Sequence, residues 1–248
     1  MESKRVKIFP ITYFDTPVLN SSIYTPIFAS NKYFTNHAKF LDSNSLDNDK
    51  YNELTAIYDI WKLHSENLDF IGICHYRRLL SFNSKSALSH RDIQSLIFKN
   101  EIILPKKRVY WPLNLKQHYI YSKKGYFKVH LNDIKIVKDI FIEIYPDYLK
   151  SFNRVMKRTY YHGGHIFLMN KNLFDSYCEF TFNIAFEIEK RLSSRIDQKR
   201  YISALTEFTL DIWIDRKRLK YKEINVYETE KVPFFKKILV VLKKIFKG

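Results

Sequence analysis

The segment His75-Tyr76-Arg77-Arg78 carries the side chains best suited to chemistry in this chain. It follows an apolar run, residues 70–74, that predicts a buried strand. In open α/β sheets, ligands bind just beyond the carboxyl ends of the strands. Paired arginines orient phosphate oxygens with their forked donors. The pattern therefore predicts a site for an anionic group such as a diphosphate. The alternative is a core strand whose arginines only solvate its end.

A second candidate is Glu53, near the start of a predicted helix. Apolar residues at positions 54, 57, 58 and 61 follow the spacing of one helix face, so we predict a helix over residues 52–63. A helix N-terminus presents free N–H groups and favours anions. Glu53 is therefore either a carboxylate that stabilises the helix start or a group directed at a substrate hydroxyl.

Arg200 and Glu207 form a third candidate. A helix is predicted over residues 200–213, and residues seven apart lie on one face of a helix. Such a pair is usually structural and contributes little when it is exposed. Alternatively, Glu207 is placed against an acceptor hydroxyl, with Ala204 leaving room for the approach.

A fourth candidate is the glycine pair Gly163-Gly164, which holds two of the five glycines in the chain directly before a predicted strand. A glycine pair allows a sharp turn or the close approach of a ligand. The flanking His162 and His165, with tyrosines beside them, are suitable hydrogen-bonding and stacking partners for a sugar. The alternative is a hairpin turn with exposed polar neighbours.

Several well-known catalytic motifs are absent from the sequence. It contains no P-loop, no Gly-x-Ser-x-Gly elbow, no His-Glu-x-x-His and no dinucleotide fingerprint. It also has no convincing Asp-x-Asp at a strand end, where carboxylates would hold a metal–diphosphate complex. Cationic side chains can stabilise a departing diphosphate without an ion. We therefore expect a site that needs no metal or other cofactor.

The composition is that of a folded domain followed by a basic tail. A hydrophobic content of 46%, with 17% aromatic residues, argues against disorder. The net charge is +16, and residues 216–248 hold eleven Lys and Arg against three Glu. This distribution favours a localised anionic surface as the partner over a nucleic acid, for which no zinc-finger or RNA-recognition signature is present.

The tail segment 234–247 combines apolar positions along one side of a helix with five lysines. It is too short to span a bilayer and suits lying in the anionic interface of an inner leaflet. The alternative is a terminal helix packed on the domain. We therefore predict a catalytic domain over residues 1–230 and a membrane-associating amphipathic helix within residues 231–248.

The cysteines and the chain start indicate the cytoplasm. Cys74 and Cys178 lie in apolar segments without metal-ligand spacing, as buried thiols of a cytosolic protein do. No signal peptide is apparent, and no apolar run is long enough to cross a bilayer. We expect a cytoplasmic protein that associates peripherally with the inner face of the cell membrane.

Predicted strands and helices alternate along the chain. The predicted strands are at 7–13, 70–74 and 165–169, and a further apolar stretch lies at 96–104. The predicted helices are at 52–63, 132–145, 173–191 and 200–213. This alternation favours an α/β architecture.

Two segments resemble a known bacterial family. Residues 52–62 match an ELTA-x-Y-x-x-WK helix, and residues 70–78 match an IG-x-x-HYRR strand end. Together they resemble the capsular-polysaccharide and O-antigen glycosyltransferases, a family formerly of unknown function. The resemblance extends over roughly residues 5–215.

The resemblance implies a glycosyltransferase A-like fold, that is, a Rossmann-type mixed sheet flanked by helices. It also implies transfer of a hexose, such as galactose or galactofuranose, from a UDP-linked sugar. The implied acceptor is a lipid-linked or surface glycan in capsule, exopolysaccharide or O-antigen synthesis. The alternative is a non-catalytic glycan- or polyanion-binding protein on the same scaffold.

The candidate residues and the resemblance together give three expected groups. The donor and its phosphates are bound by Tyr13, Tyr76, Arg77, Arg78 and Arg200. Catalysis, including deprotonation of the acceptor hydroxyl, is expected from Glu53, His75 and Glu207. The acceptor or sugar is bound by His162, Gly163, Gly164 and His165.

Two positions depart from the pattern of the family. The first strand of the family often ends in Tyr-His-Lys, where this chain has Tyr13-Phe14-Asp15. The strand before the long helix usually starts with Asn, where this chain has His165. Both changes fall where they would alter the choice of donor or acceptor, or remove activity.

Overall fold

A computed structural model describes residues 3–13, 19–29, 41–43, 46–121, 129–193 and 199–229. The strands are β1 (Val6–Thr12), β2 (Ile27–Ala29), β3 (Leu41–Ser43), β4 (Phe70–His75), β5 (Arg78–Ser81), β6 (Ile102–Pro105), β7 (Arg108–Val109), β8 (Tyr160–Tyr161), β9 (Phe167–Asn170) and β10 (Lys222–Glu228). The helices are α1 (Asn48–Tyr51), α2 (Glu53–Asp59), α3 (His90–Lys99), α4 (Leu115–Tyr121), α5 (Leu131–Glu143), α6 (Leu149–Met156), α7 (Lys171–Arg191), α8 (Tyr201–Thr206) and α9 (Thr209–Lys217). A π-helical segment, Ile60–His64, continues α2, and a 3-10 turn, Pro146–Tyr148, precedes α6.

One mixed sheet organises the described residues. Strands β3, β2, β1 and β4 pair in parallel in that order. Strand β9 runs antiparallel between β4 and β6, while β10 lies parallel to β6. Strand β5 runs antiparallel to β10 and also pairs with the end of β4 through His75 and Arg78. The carboxyl ends of β1, β4 and β6 therefore meet at one edge of the sheet.

The two faces of the sheet bury separate cores. Along β4, Ile71 and Ile73 face a larger core shared with the helices, whereas Phe70 and Cys74 face a smaller core that includes residues of α3. Successive strand residues point to opposite faces, so a strand covered on both sides reads as a continuous apolar run. This is why the sequence before His75 is apolar without alternation.

The predicted α/β architecture is confirmed, with helices packed against a mixed sheet. The predicted strand at 7–13 is β1, the strand at 70–74 is β4, and the helices at 132–145 and 173–191 are α5 and α7. The stretch at 96–104 divides between α3 and β6, because the Asn100 side chain donates to the Leu96 carbonyl and ends the helix.

The prediction of one helix over 200–213 is wrong. The segment forms α8 and α9, separated at Glu207, and Arg200 precedes α8 in a left-handed conformation with φ of 61°. The Thr206 hydroxyl donates to the Ile202 carbonyl, and the Thr209 hydroxyl donates to the Thr206 carbonyl. Such bonds compete with the helical backbone ladder. Arg200 and Glu207 therefore do not share a helix face.

Three further predictions fall on other parts of the chain. The amphipathic helix at 234–247, the boundary before residue 231 and the departure at Asp15 all lie outside the described residues. Within the described ranges, none of the helices combines the length and the apolar character needed to cross a membrane.

Candidate functional site

The carboxyl ends of β1 and β4 bring the first group of predicted residues together. The Tyr13 hydroxyl donates to Glu53 Oε2 over 3.3 Å. The Tyr13 ring centroid lies 6.0 Å from that of His75, whose ring lies 4.7 Å from that of Tyr76. Glu53 opens α2, so its position against Tyr13 depends on the packing of this helix on the sheet. The structure thus places the two sequence motifs at one site.

Arginines surround His75. Burial lowers the pKa of the imidazole, and the charges of Arg78, Arg77, Arg108 and Arg200 act in the same direction, so that together they bring it to about 3. The Arg200 guanidinium lies 5.4 Å from the Tyr13 ring centroid, and that of Arg77 lies 5.1 Å from the Tyr76 centroid. His75 is therefore neutral near pH 7, and the positive charge of the site comes from guanidiniums.

Glu207 is held by two phenols. Its Oε2 accepts hydrogen bonds from the Tyr161 hydroxyl over 2.7 Å and from the Tyr119 hydroxyl over 3.2 Å. No hydrogen bond from a described residue reaches Oε1 of the same carboxylate. Oε1 is thus an acceptor on a half-buried carboxylate whose other oxygen is held in place.

Gly163 makes room for this arrangement. A Cβ atom at Gly163 would lie 2.6 Å from Cζ and 2.7 Å from the hydroxyl oxygen of Tyr161. Strand β8, which carries Tyr161, pairs with β7, and the turn with the two glycines follows it. The first glycine is therefore required by the position of a side chain that holds Glu207.

Glu53 is a buried carboxyl group with 9% of its surface exposed. Burial raises its pKa, His165 opposes the shift, and the charge of Glu207 adds to it. The carboxyl groups of Glu53 and Glu207 are therefore electrostatically coupled, with the pKa of Glu53 shifted upward. Two carboxyl groups in different environments can take different roles in proton transfer.

Left-handed backbone conformations surround Glu53. Asn52, His165 and Arg200 have φ angles of 50°, 48° and 61°. A positive φ is uncommon for residues other than glycine and costs free energy, and Asn52, with a ψ of −126°, lies outside the left-handed helical region as well. The His165 ring is buried, with Nδ1 lying 3.4 Å from the Tyr177 hydroxyl, and within the described residues its Nε2 has no hydrogen-bond partner. Strain of this kind is typical of functional sites.

His162 is engaged in a buried ionic contact. Its Nδ1 lies 2.9 Å from Asp211 Oδ1, and its Nε2 lies 2.9 Å from Glu223 Oε1. Burial alone would lower the pKa of the imidazole, but the hydrogen bonds to the two carboxylates outweigh it and raise the pKa. Both ring nitrogens are thus occupied. His162 fixes the glycine turn to α9 and β10, and its assignment to acceptor or sugar binding stays a prediction.

Sequence reasoning missed two residues of the site, Arg108 and Tyr119, and named Tyr161 only as one of the tyrosines beside the glycine pair. Arg108 and Arg78 lie at a cavity of about 190 Å³. The cavity is lined by Arg78, Pro105, Lys106, Arg108, Gly163, Ile166, Asn225, Val226 and Glu228. The basic run after the apolar stretch at 96–104 was a usable signal for Arg108, since it repeats the pattern of a strand end followed by cations.

Metal ligands are not grouped in the part of the chain that the structure describes. None of its His, Cys, Asp and Glu side chains come together in threes or more with a geometry that could hold an ion. The charged groups that converge at the site are the guanidiniums around His75 and the carboxyl groups of Glu53 and Glu207.

A solved structure described as the apo form of the bifunctional glycosyltransferase WbbM is similar to this chain, with a TM-score of 0.79 and 25% sequence identity. The match covers 92% of this chain and 46% of the other, so the chain spans about half the length of that protein. A search of curated proteins finds no match. At the level of a glycosyltransferase-like protein, the expectation from the motifs is confirmed.

A family model described as a domain of unknown function, DUF4422, matches residues 7–218. This stretch runs from the start of β1 to the end of α9 and contains Tyr13, Glu53, His75 and Glu207. Because the match covers most of the chain, the protein belongs to the DUF4422 family.

Proposed function

We propose that this protein is a glycosyltransferase of the glycosyltransferase A-like type that transfers a hexose from a nucleotide sugar to a glycan acceptor. The observation that carries the proposal is the convergence of guanidiniums and two carboxyl groups at the carboxyl edge of the sheet. Cations suit a diphosphate leaving group, and a carboxylate suits the removal of a proton from a hydroxyl. The likeness to WbbM supports the same class of reaction.

The donor diphosphate is assigned to the arginines around His75. Arg77 and Arg200 lie over the rings of Tyr76 and Tyr13, which leaves aromatic surface beside the cations for the remainder of the donor. When the bond between the sugar and the diphosphate breaks, negative charge grows on the leaving oxygen. Fixed guanidiniums stabilise that charge without reorganising, so we expect turnover without a divalent metal.

Glu207 is assigned as the base. Its Oε1 takes the proton of the acceptor hydroxyl while the hydroxyl oxygen forms its bond to the sugar. Geometry comes before pKa in choosing a base, and Glu207 combines a fixed orientation with an open oxygen. Glu53 is the second candidate because burial raises its pKa toward the neutral range, but its carboxyl group is nearly enclosed.

The acceptor is proposed to be a lipid-linked glycan, reached by a protein that lies on the inner face of the cell membrane. The support is the basic, apolar segment 234–247, which suits an anionic leaflet. The resemblance of the motifs implies a place in capsule, exopolysaccharide or O-antigen synthesis. The sugar is a hexose from a UDP donor in this proposal.

A donor panel tests the assignment. Full-length protein should hydrolyse or transfer from at least one UDP-sugar, in EDTA as well as in manganese. Glu207→Gln should lower turnover by about 100- to 10,000-fold, the usual effect of losing a base, while donor binding persists. Arg77→Ala should abolish donor binding. The matched control is Glu179→Gln on the exposed face of α7.

Two results would change the proposal. Full turnover in Glu207→Gln with loss in Glu53→Gln would move the base to Glu53. Ligand binding without turnover of any donor, insensitive to both substitutions, would instead indicate a non-catalytic glycan-binding protein.

A further inference from the structure

The cavity between the ends of β6 and β10 has two arginines that the fold brings together from distant parts of the chain. Arg78 starts β5 and Arg108 starts β7. Measured from a Cβ atom placed on Gly164, Nη1 of Arg78 lies at 4.0 Å and Nη2 of Arg108 at 3.9 Å. Gly164 itself has a φ of 89°, which favours glycine. Both guanidiniums therefore border the same small space above the glycine turn.

The charged residues that line the cavity are mostly cations: Arg78, Arg108 and Lys106 stand against one carboxylate, Glu228, whose charge also acts on Arg78. Among the described residues, no carboxylate lies within ion-pairing distance of Arg78 or Arg108, and neither side chain forms a hydrogen bond. Both side chains are half-buried, and burial together with the charge of Arg108 lowers the pKa of Arg78. Holding two like charges together in a partly dry cavity costs free energy that an anion between them would recover.

The chemistry of the cavity favours a phosphate group. Guanidiniums present forked donors that match the oxygens of phosphate. The two positive charges of Arg78 and Arg108 also match a doubly charged phosphate ligand better than a ligand with a single carboxylate. Lys106 adds a third cation at the rim, and Gly163 and Gly164 keep side chains out of the space. Asn225 also lines the cavity.

We propose that Arg78 and Arg108 form a phosphate-binding site in this cavity, with Arg108 as a ligand-binding residue. The phosphate comes either from the diphosphate of the donor or from a phosphate on the acceptor. This inference deepens the proposed function and rests on it only for the source of the phosphate. The site itself needs no turnover to be detected.

Calorimetric titration of the full chain with pyrophosphate tests the site. The wild type should bind, and Arg108→Gln should weaken binding by about tenfold or more, as expected for the loss of one charge-assisted contact. Arg108→Lys keeps the charge but loses the fork and should fall between the two. Arg91→Gln, an exposed arginine on α3, is the matched control and should bind like the wild type. Circular dichroism melting curves establish that each variant is folded.

A second arm identifies the source. If saturating UDP displaces pyrophosphate, the cavity holds the donor diphosphate; if both bind together, it holds a phosphate of the acceptor. Acetate should not compete at equal ionic strength. The proposal is overturned if the wild type does not bind pyrophosphate, or if folded Arg108→Gln binds it as tightly as the wild type. A UDP-sugar panel without turnover would refute the proposed function and leave a measured pyrophosphate site intact.

Discussion

At the scale of single residues, the positive charge of the arginines accounts for the properties of the site better than any one catalytic group does. His75 sits among four arginines and stays neutral, since an imidazolium would add a fifth positive charge to a partly buried cluster. His75 is therefore suited to hydrogen bonding and packing, and its sequence-based assignment as a catalytic residue remains a prediction. The proton-transfer role falls more naturally to the carboxyl groups.

The pKa of His75 should report on ligand binding. In the free protein it lies at about 3, against an ordinary value of 6.5. An anion among the arginines offsets their charge, so saturation with UDP should raise the pKa of His75, observable by NMR titration of its ring protons. A His75→Gln variant assigns the signal. An unchanged titration curve in saturating UDP would contradict anion binding beside His75.

The same residue has a defined effect on stability. The unfolded chain protonates His75 below pH 6.5, whereas the folded protein keeps it neutral down to about 3. Its contribution to stability is therefore present above pH 6.5 and is lost as the pH falls toward 3. His75→Gln should flatten that part of the stability curve, as measured by urea unfolding at several pH values.

At the scale of elements, the turn after β8 links the need for a glycine at position 163 to the orientation of the Glu207 carboxylate. Gly163 lies against the Tyr161 ring, Tyr161 donates to Glu207, and Glu207 lies between α8 and α9. His162 anchors the turn from the other side through Asp211 and Glu223. The orientation of Glu207 thus depends on the backbone of the turn that follows β8.

Gly163→Ala should lower kcat. The added methyl group would displace the Tyr161 ring and weaken its hydrogen bond to Glu207. Tyr161→Phe, which removes the hydroxyl but keeps the ring, should reproduce the loss in kcat. A normal kcat in a folded Gly163→Ala protein would show that the Tyr161 contact is dispensable.

Local pattern was sufficient to predict some elements and not others. Strand β4 and the cations at its end follow from adjacent residues, and α7 follows from a long stretch suited to a helix. The contact between Tyr161 and Glu207 joins residues 46 apart, and the antiparallel insertion of β9 depends on pairing with both β4 and β6. Such long-range contacts leave no periodic signal in the sequence.

At the scale of the whole molecule, the site lies at one edge of the sheet. The strands that deliver Tyr13, His75 and Arg108 all end there, or just beyond, and the helices on the larger core carry Glu53. The α/β class was predictable from alternation, because it needs only element types in order. The pairing of β5 with β10, which places Arg78 beside the cavity, was not predictable from the order of the elements.

The basic tail gives a prediction for the whole protein. Reversing the charge at Lys236, Lys237, Lys243 and Lys244 to Glu should abolish retention on liposomes that contain anionic lipid, because each basic residue near such a surface adds about 1 kcal/mol. UDP binding in solution should be unchanged. Equal retention of the wild type and this variant would assign the tail to packing on the domain instead.

The left-handed residues around Glu53 limit how this site can be redesigned. Positions 52, 165 and 200 accept few residue types without strain, chiefly glycine, asparagine, aspartate and histidine. A combinatorial library aimed at a new sugar preference would therefore retain more folded members if the present residues were kept at these three positions. Positions of the site whose φ is negative are the ones to randomise.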